Sequence, residues 1–193
     1  MASTTNQPPI FVLDLDETLV FATLEAPPDP DFMLELLGQQ VFVRIRPGVQ
    51  AFLDLIRPRC DLRVWSTGQP IYVDAICEKL GIDDIPKWGR DRCRRLDRMI
   101  ANHHEPYDKP LEWITPDLSR VVIIDNSPGV FACNLANGVP IDSWRGDRDE
   151  RQLDLLGCYL LWLAQQPDLR RDHSEWSREA LLLRNAQGLK LKG

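Results

Sequence analysis

Four short aliphatic runs set the limits on what this chain can fold into: "IFVL" (10–13), "LRVW" (62–65), "VVII" (121–124) and "VPI" (139–141). None alternates cleanly between apolar and polar residues, so each predicts a strand buried on both faces. Helical patterns lie between them: "GVQAFLDLI" before the second run, "PIYVDAICEKLG" after it with Gly81 as the C-terminal stop, and "PLEWI" before the third. Strands alternating with helices predict an α/β fold, a parallel sheet with helices on both faces. In residues 152–166, Leu153, Leu156, Leu160 and Leu163 share a helical face, and Pro167 stops the helix. "DHSEWSREALLLRNAQG" predicts a terminal helix, with Asp172 and Glu175 at capping-box spacing and Gly188 at its far end. Residues 21–40 and 83–108 resist assignment and are long enough to be functional loops or small inserts.

A length of 193 residues is most simply one folded unit. The expected division is a flexible tail over residues 1–9, an α/β domain over 10–166 and a C-terminal helical extension over 167–193. A net charge of −6 opposes general attraction to nucleic acid or to an anionic membrane. The five cysteines are widely spread and never form a C-x-x-C pair, which predicts reduced thiols in a cytoplasmic protein. "MASTTNQPP" has neither the basic start nor the apolar stretch of a secretion signal. "LDLLGCYLLWLA" is interrupted by Asp154 and Gly157 and falls short of a membrane span.

Polar residues collect at the carboxyl ends of the strand runs, the edge where open α/β sheets bind ligands. Asp14 and Asp16 follow the first run, Ser66 and Thr67 the second, Asp125 and Asn126 the third, and Lys109 precedes the helix leading into the third. Carboxylates this close repel one another, so a cation is expected among them. Asp14, Asp16 and Asp125 form a hard, oxygen-rich set suited to Mg²⁺. A lysine and a hydroxyl beside such an ion suit a phosphoryl group in transfer, and an aspartate can act as the nucleophile.

"DLDETLV", "WSTG", the lysine of "YDKPL" and "VVIIDNSP", in that order, resemble the four motifs of the haloacid dehalogenase superfamily. The forms D-L-D-E-T-L and D-N resemble the small CTD phosphatases and their NIF-domain relatives, as do "RIRPGVQAFL" and "VPIDSW". The resemblance implies a Rossmann-like sheet with small inserts and no large cap domain. It also implies a Mg²⁺-dependent phosphomonoester hydrolase working through an aspartyl-phosphate. Asp14 would be the nucleophile, and Asp16 the acid and base, with its backbone carbonyl on the metal. Lys109 would neutralise the phosphoryl group, and Ser66 would bind it, with Thr67 as the alternative. Thr18 would hold the first loop or bind phosphate. Asp125 would ligate Mg²⁺ directly, and Asn126 directly or through water. The implied substrate is phosphoserine or phosphothreonine in a protein or peptide. A nucleotide or other small phosphomonoester, or a weakly catalytic protein-binding module on the same fold, stays open.

Other residues carry blander expectations. Glu17 is expected to face solvent, His103 and His104 to lie on a surface loop, and Trp65, Trp88, Trp113 and Trp162 to be core or near-core. Trp144 either lines the site or packs. The run Arg90, Arg92, Arg94, Arg95 and Arg98 is either a solvated face or a grip for an acidic or multiply phosphorylated substrate.

Overall fold

The four aliphatic runs do lie side by side. The computed structural model describes residues 8–96 and 106–187, apart from the side chains of residues 184–187. In chain order its elements are β1 (Ile10–Leu13), β2 (Val20–Thr23), β3 (Phe32–Leu36), β4 (Gln39–Ile45), α1 (Val49–Ile56), β5 (Asp61–Trp65) and α2 (Pro70–Lys79). They continue with β6 (Lys87–Trp88), β7 (Arg94–Arg95), β8 (Tyr107–Asp108), β9 (Val121–Asp125), β10 (Gly138–Pro140), α3 (Gln152–Leu163) and α4 (Trp176–Gln187).

The main sheet has five strands in the order β10-β9-β1-β5-β6, and all of its pairings are parallel. Its two faces are closed by different material. Phe11, Leu13, Val122 and Ile124 point into a large cluster with Phe52 and Leu53 of α1, Val73 and Ile76 of α2, and Leu153 and Leu160 of α3. Val12, Val121 and Ile123 point the other way, onto Leu111, Val130 and Phe131. That second face is covered by 3-10 turns, at Leu111–Trp113 and Pro128–Asn137, while the α-helices gather on the first. Double-sided burial is why β1 and β9 are apolar without alternation.

Several expectations need correction. "PLEWI" makes only the single 3-10 turn Leu111–Trp113, since Pro116 removes an N–H donor and disfavours the α conformation before it. Trp113, on that turn, is largely exposed and not near the core. Residues 21–40 are ordered: β2 and β3 flank β4 in an antiparallel sheet, the small insert between β1 and β5. Its hairpin turns at Leu37 and Gly38, both with positive φ (50° and 76°). The described part of residues 83–108 holds three two-residue strands, among them the fifth strand of the main sheet, too short to leave a pattern. His103, His104 and Arg98 lie outside the described residues.

The terminal helix begins at Trp176, three residues later than the capping-box spacing implies. Asp172 instead closes a turn by accepting the Ser174 N–H at 2.9 Å. Leu169, Trp176 and Ala180 belong to the same buried cluster as α1 and α3. Among the described residues no helix is long and apolar enough to cross a membrane.

His173 ties this C-terminal segment down. Its Nδ1 lies 2.7 Å from the Tyr159 hydroxyl and its Nε2 lies 3.2 Å from the Ala136 carbonyl. The carbonyl can only accept, so Nε2 carries the proton and Nδ1 accepts from Tyr159. Burial pushes the imidazole down to about 4 against the pull of the Ala136 carbonyl, with the Arg171 charge adding to the drop and Asp172 opposing it. The unfolded chain therefore binds this proton first. The stability the neutral ring contributes is complete above its ordinary pKa of 6.5 and is lost as pH falls toward about 4. Urea unfolding across that window should show a falling midpoint in the natural protein and a shallower fall in His173→Gln. Parallel profiles would mean that His173 does not titrate on unfolding.

Candidate active site

Register brings the site together. Leu13 pairs with Val64 of β5 and with Ile124 of β9, so the residues after each strand emerge at one edge. The Asp14 N–H donates to the Ile124 carbonyl at 3.0 Å, extending the ladder by one residue and setting Asp14 beside Asp125. Beyond it the chain coils tightly: the N–H groups of Thr18, Leu19 and Val20 all point to the Leu15 carbonyl. Leu15 and Leu19 are fully buried, which anchors this loop and leaves Asp14, Asp16 and Glu17 on the cavity side. Arg46, itself buried, locks the loop from behind. It donates to the Thr18 carbonyl at 3.0 Å, to Glu150 at 2.9 Å and to Gln152 at 2.9 Å.

The cavity at the strand ends holds about 390 Å³ and is lined by Asp14, Asp16, Glu17, Thr67, Lys109 and Asp125, among others. Lys109 is its centre. The ammonium donates to Asp14 Oδ1 at 2.7 Å and to Asp125 Oδ2 at 2.6 Å. Burial would depress this lysine, but Asp125 and then Asp14 outweigh that and hold its pKa above the usual lysine range. Asp125 is pushed up by burial and by the charge of Asp14, against Lys109. Lys109 reaches this place because its own N–H donates to the Val130 carbonyl at 2.7 Å and because Arg94 clamps the neighbouring Asp108, with Nε 3.0 Å from Oδ1.

Asp16 has a different environment. Its carboxylate accepts from the Tyr72 hydroxyl on Oδ1 and from the Ser66 hydroxyl at 3.4 Å on Oδ2. Burial, then the charge of Asp14, raises it to about 6, against those hydrogen bonds and Lys109. Its carboxylate is thus bonded to α2 through Tyr72 and to the end of β5 through Ser66, while it lines the same cavity as Asp14 and Asp125. Among the described residues no three acidic, His or Cys side chains gather as metal ligands. Two carboxylates are what Mg²⁺ needs from a protein when waters complete its shell. The repulsion between Asp14 and Asp125 is what a divalent cation would relieve, so the donor set suits Mg²⁺.

The remaining expected residues divide. Ser66 is fully buried, accepting the Gly68 N–H at 2.9 Å as well as donating to Asp16, whereas Thr67 lines the cavity. Thr18 is fully buried and donates to Asn126 Oδ1 at 3.3 Å, so it braces the loop and does not reach the cavity to bind phosphate. Asn126 is in the lining, and its Nδ2 donates to Glu17 at 3.2 Å and to Ser143 at 2.9 Å. Glu17 does not simply face solvent. Its φ of 59° turns the carboxylate back to the rim, where it meets Asn126 and Arg145. Trp144 is buried and packs. Of the arginine run, Arg94 is committed to Asp108 and Arg90 donates to the Thr67 carbonyl at 2.6 Å, while Arg92 and Arg95 are exposed.

Sequence reasoning passed over Tyr72 and Arg145 and left Glu17 to the solvent. "PIYVDA" offered a signal for the first, since a tyrosine in the opening turn of the helix after "WSTG" can reach back to the strand end.

Comparison with known proteins gives this geometry a context. Residues 9–170 match the profile of the family described as NLI interacting factor-like phosphatase. A probable C-terminal domain small phosphatase of Dictyostelium discoideum is 36% identical over 150 residues, covering 75% of this chain and 47% of that protein. The human CTD small phosphatase-like protein is 33% identical over 162 residues, covering 82% and 57%. The chain thus spans about half the length of these relatives. Among solved structures, the fission yeast RNA polymerase II CTD phosphatase Fcp1 bound to beryllium fluoride shares the fold, with a TM-score of 0.56 at 14% identity over 94% of this chain and 63% of that one. With the profile covering most of its length and relatives above 30% identity, the chain belongs to the NLI interacting factor-like phosphatase family.

Proposed function

We propose that the chain is a phosphomonoester hydrolase that removes phosphate from serine or threonine in proteins by way of a phosphoaspartate at Asp14. The observation that carries this reading is Lys109, buried and shared between Asp14 and Asp125 at 2.7 and 2.6 Å at the ends of two parallel strands. A cation fixed there neutralises a nucleophilic carboxylate and the incoming phosphoryl oxygens alike. The insert between β1 and β5 is a small three-stranded sheet and no large cap, which suits a phosphate borne on a macromolecule, and the relatives named as CTD phosphatases favour a phosphoprotein. The thiols of Cys60, Cys77, Cys93 and Cys133 accord with residence in the cytoplasm.

In this reading an Asp14 oxygen attacks phosphorus in line, and the bond to the serine or threonine oxygen breaks as the new one forms. Asp16 gives its proton to that leaving oxygen. Its raised pKa, about 6, keeps a protonated fraction within reach of neutral pH. Asp16 then takes a proton from the water that attacks phosphorus, releasing inorganic phosphate and restoring the Asp14 carboxylate. Lys109 holds Asp14 in line throughout. Asp14, Asp125, the Asp16 carbonyl and Asn126 would hold Mg²⁺, which when bound supplies the extra positive charge that a phosphoryl dianion needs among these carboxylates.

Hydrolysis of p-nitrophenyl phosphate should be abolished by EDTA, restored by Mg²⁺ and absent in Asp14→Asn. Full activity in metal-free buffer would remove the metal from the reading, and an active Asp14→Asn would remove the nucleophile.

The hydroxyls around Asp16 give a sharper test. Ser66 and Tyr72 touch the proton donor, so Ser66→Ala and Tyr72→Phe should slow a phosphoserine peptide, whose leaving oxygen needs a proton, more than p-nitrophenyl phosphate, whose leaving group does not. Ser66 is the expected phosphoryl contact and Thr67 the alternative, but Thr67 is the one in the lining, so Thr67→Ala should lower kcat on both alike, by roughly 100-fold to 1000-fold for a lost bond to a transition-state oxygen. Equal losses on both substrates for Ser66→Ala would assign the phosphoryl contact to Ser66.

A further inference from the structure

The cavity is lined by four carboxylates, Asp14, Asp16, Glu17 and Asp125, and by two cations, Lys109 and Arg145. Lys109 is 1% exposed and spent on Asp14 and Asp125. Arg145 is 72% exposed at the mouth, its Nε 3.7 Å from Glu17 Oε1. One contact at that distance engages little of a group with five N–H donors.

The backbone on either side of Arg145 is fixed. The Trp144 N–H donates to the Glu17 carbonyl at 2.7 Å, and Ser143 Oγ accepts from Asn126 at 2.9 Å, so the segment is bonded directly to the loop carrying Asp14 and to the end of β9. The Trp144 indole is buried and donates to the Asp147 carbonyl at 2.7 Å. Gly146 has φ +100°, a left-handed conformation that favours glycine and fixes the turn after Arg145. A rigid support thus presents one solvated guanidinium at the mouth. On the side of β5, Arg90 is held by its bond to Thr67 and lies over the Tyr107 ring, placing a second exposed guanidinium beside a lining residue.

We propose that Arg145 is a specificity-determining residue that reads an acidic side chain next to the phosphorylated residue of a peptide substrate. The inference rests on the phosphatase reading above. With a net charge of −6 the protein repels acidic peptides at long range, so a preference for them has to come from a cation fixed where the peptide crosses the mouth. Glu17 already accepts from Asn126, which leaves Arg145 the less satisfied member of the rim pair and able to take a second carboxylate.

Three phosphoserine peptides, identical except for acidic, alanine or lysine residues flanking the phosphoserine, test this. For the natural protein kcat/KM should favour the acidic over the alanine peptide by roughly fivefold, the scale of an exposed ion pair, and high salt should erase the preference. Arg145→Gln should flatten the order and Arg145→Glu should invert it. An unchanged order in Arg145→Glu overturns the proposal. So does an equal loss on all three peptides, which would place the guanidinium on the phosphoryl group itself. If the natural protein hydrolyses no phosphoester, the phosphatase reading fails, and calorimetric affinities of the same peptides for it and for Arg145→Glu still decide Arg145: an inverted order upholds the proposal and a common order overturns it.

Discussion

Two ionised carboxylates side by side at a buried sheet edge need a cation between them, and the ammonium of Lys109 is that cation. Asp14 and Asp125 are forced together by the parallel pairing of β1 with β9, and both are almost fully buried. Without Lys109 their repulsion and desolvation would oppose the register that the aliphatic residues of these strands otherwise favour. Site and fold are therefore one problem: the hydrophobic alignment that builds the sheet creates the electrostatic strain, and the lysine from a distant segment resolves it.

The supports of that lysine explain features that look unrelated to it. Arg94 in a run of arginines pairs with Asp108, the residue before Lys109, and so has a structural task. The 3-10 segment Pro128–Asn137 supplies the Val130 carbonyl that holds the Lys109 backbone, while its Val130 and Phe131 side chains close one face of the sheet. Asp16, two residues beyond Asp14, is bonded by Tyr72 and Ser66, and burial with the charge of Asp14 raises its pKa against those bonds, which sets its protonation apart from that of the pair.

How much of this was legible in the sequence depends on the range of the forces involved. β1 and β9 were legible because burial on both faces writes an uninterrupted apolar run, β5 because Leu62, Val64 and Trp65 are buried around the half-exposed Arg63, and Asp14, Asp125 and Lys109 followed from what stands near the ends of such runs. β6 was not, because two residues, Lys87 and Trp88, hold their place by pairing with Val64 and Trp65 and not by any pattern of their own. The turn at Leu111–Trp113 defeated a helical reading because a few apolar residues between two prolines can lie against a sheet without completing an α-helix. Glu17 was misplaced because its left-handed backbone, invisible in an acidic run, reverses the direction of its side chain. Thr18 looked like a phosphate ligand by motif, yet the coil at Leu15 turns it inward.

Arg46 has a consequence for anyone who would reshape this protein. It stands where the antiparallel insert rejoins the main chain, and its guanidinium reaches the coil after β1 and the residues that open α3. The insert is therefore not a cassette. A chimera that exchanges the hairpin of β3 and β4 for one from another protein must place its junction ahead of Arg46, since a graft that carries this arginine away leaves the Thr18 carbonyl, Glu150 and Gln152 without their common donor and unfastens the loop that carries Asp14 from the start of α3.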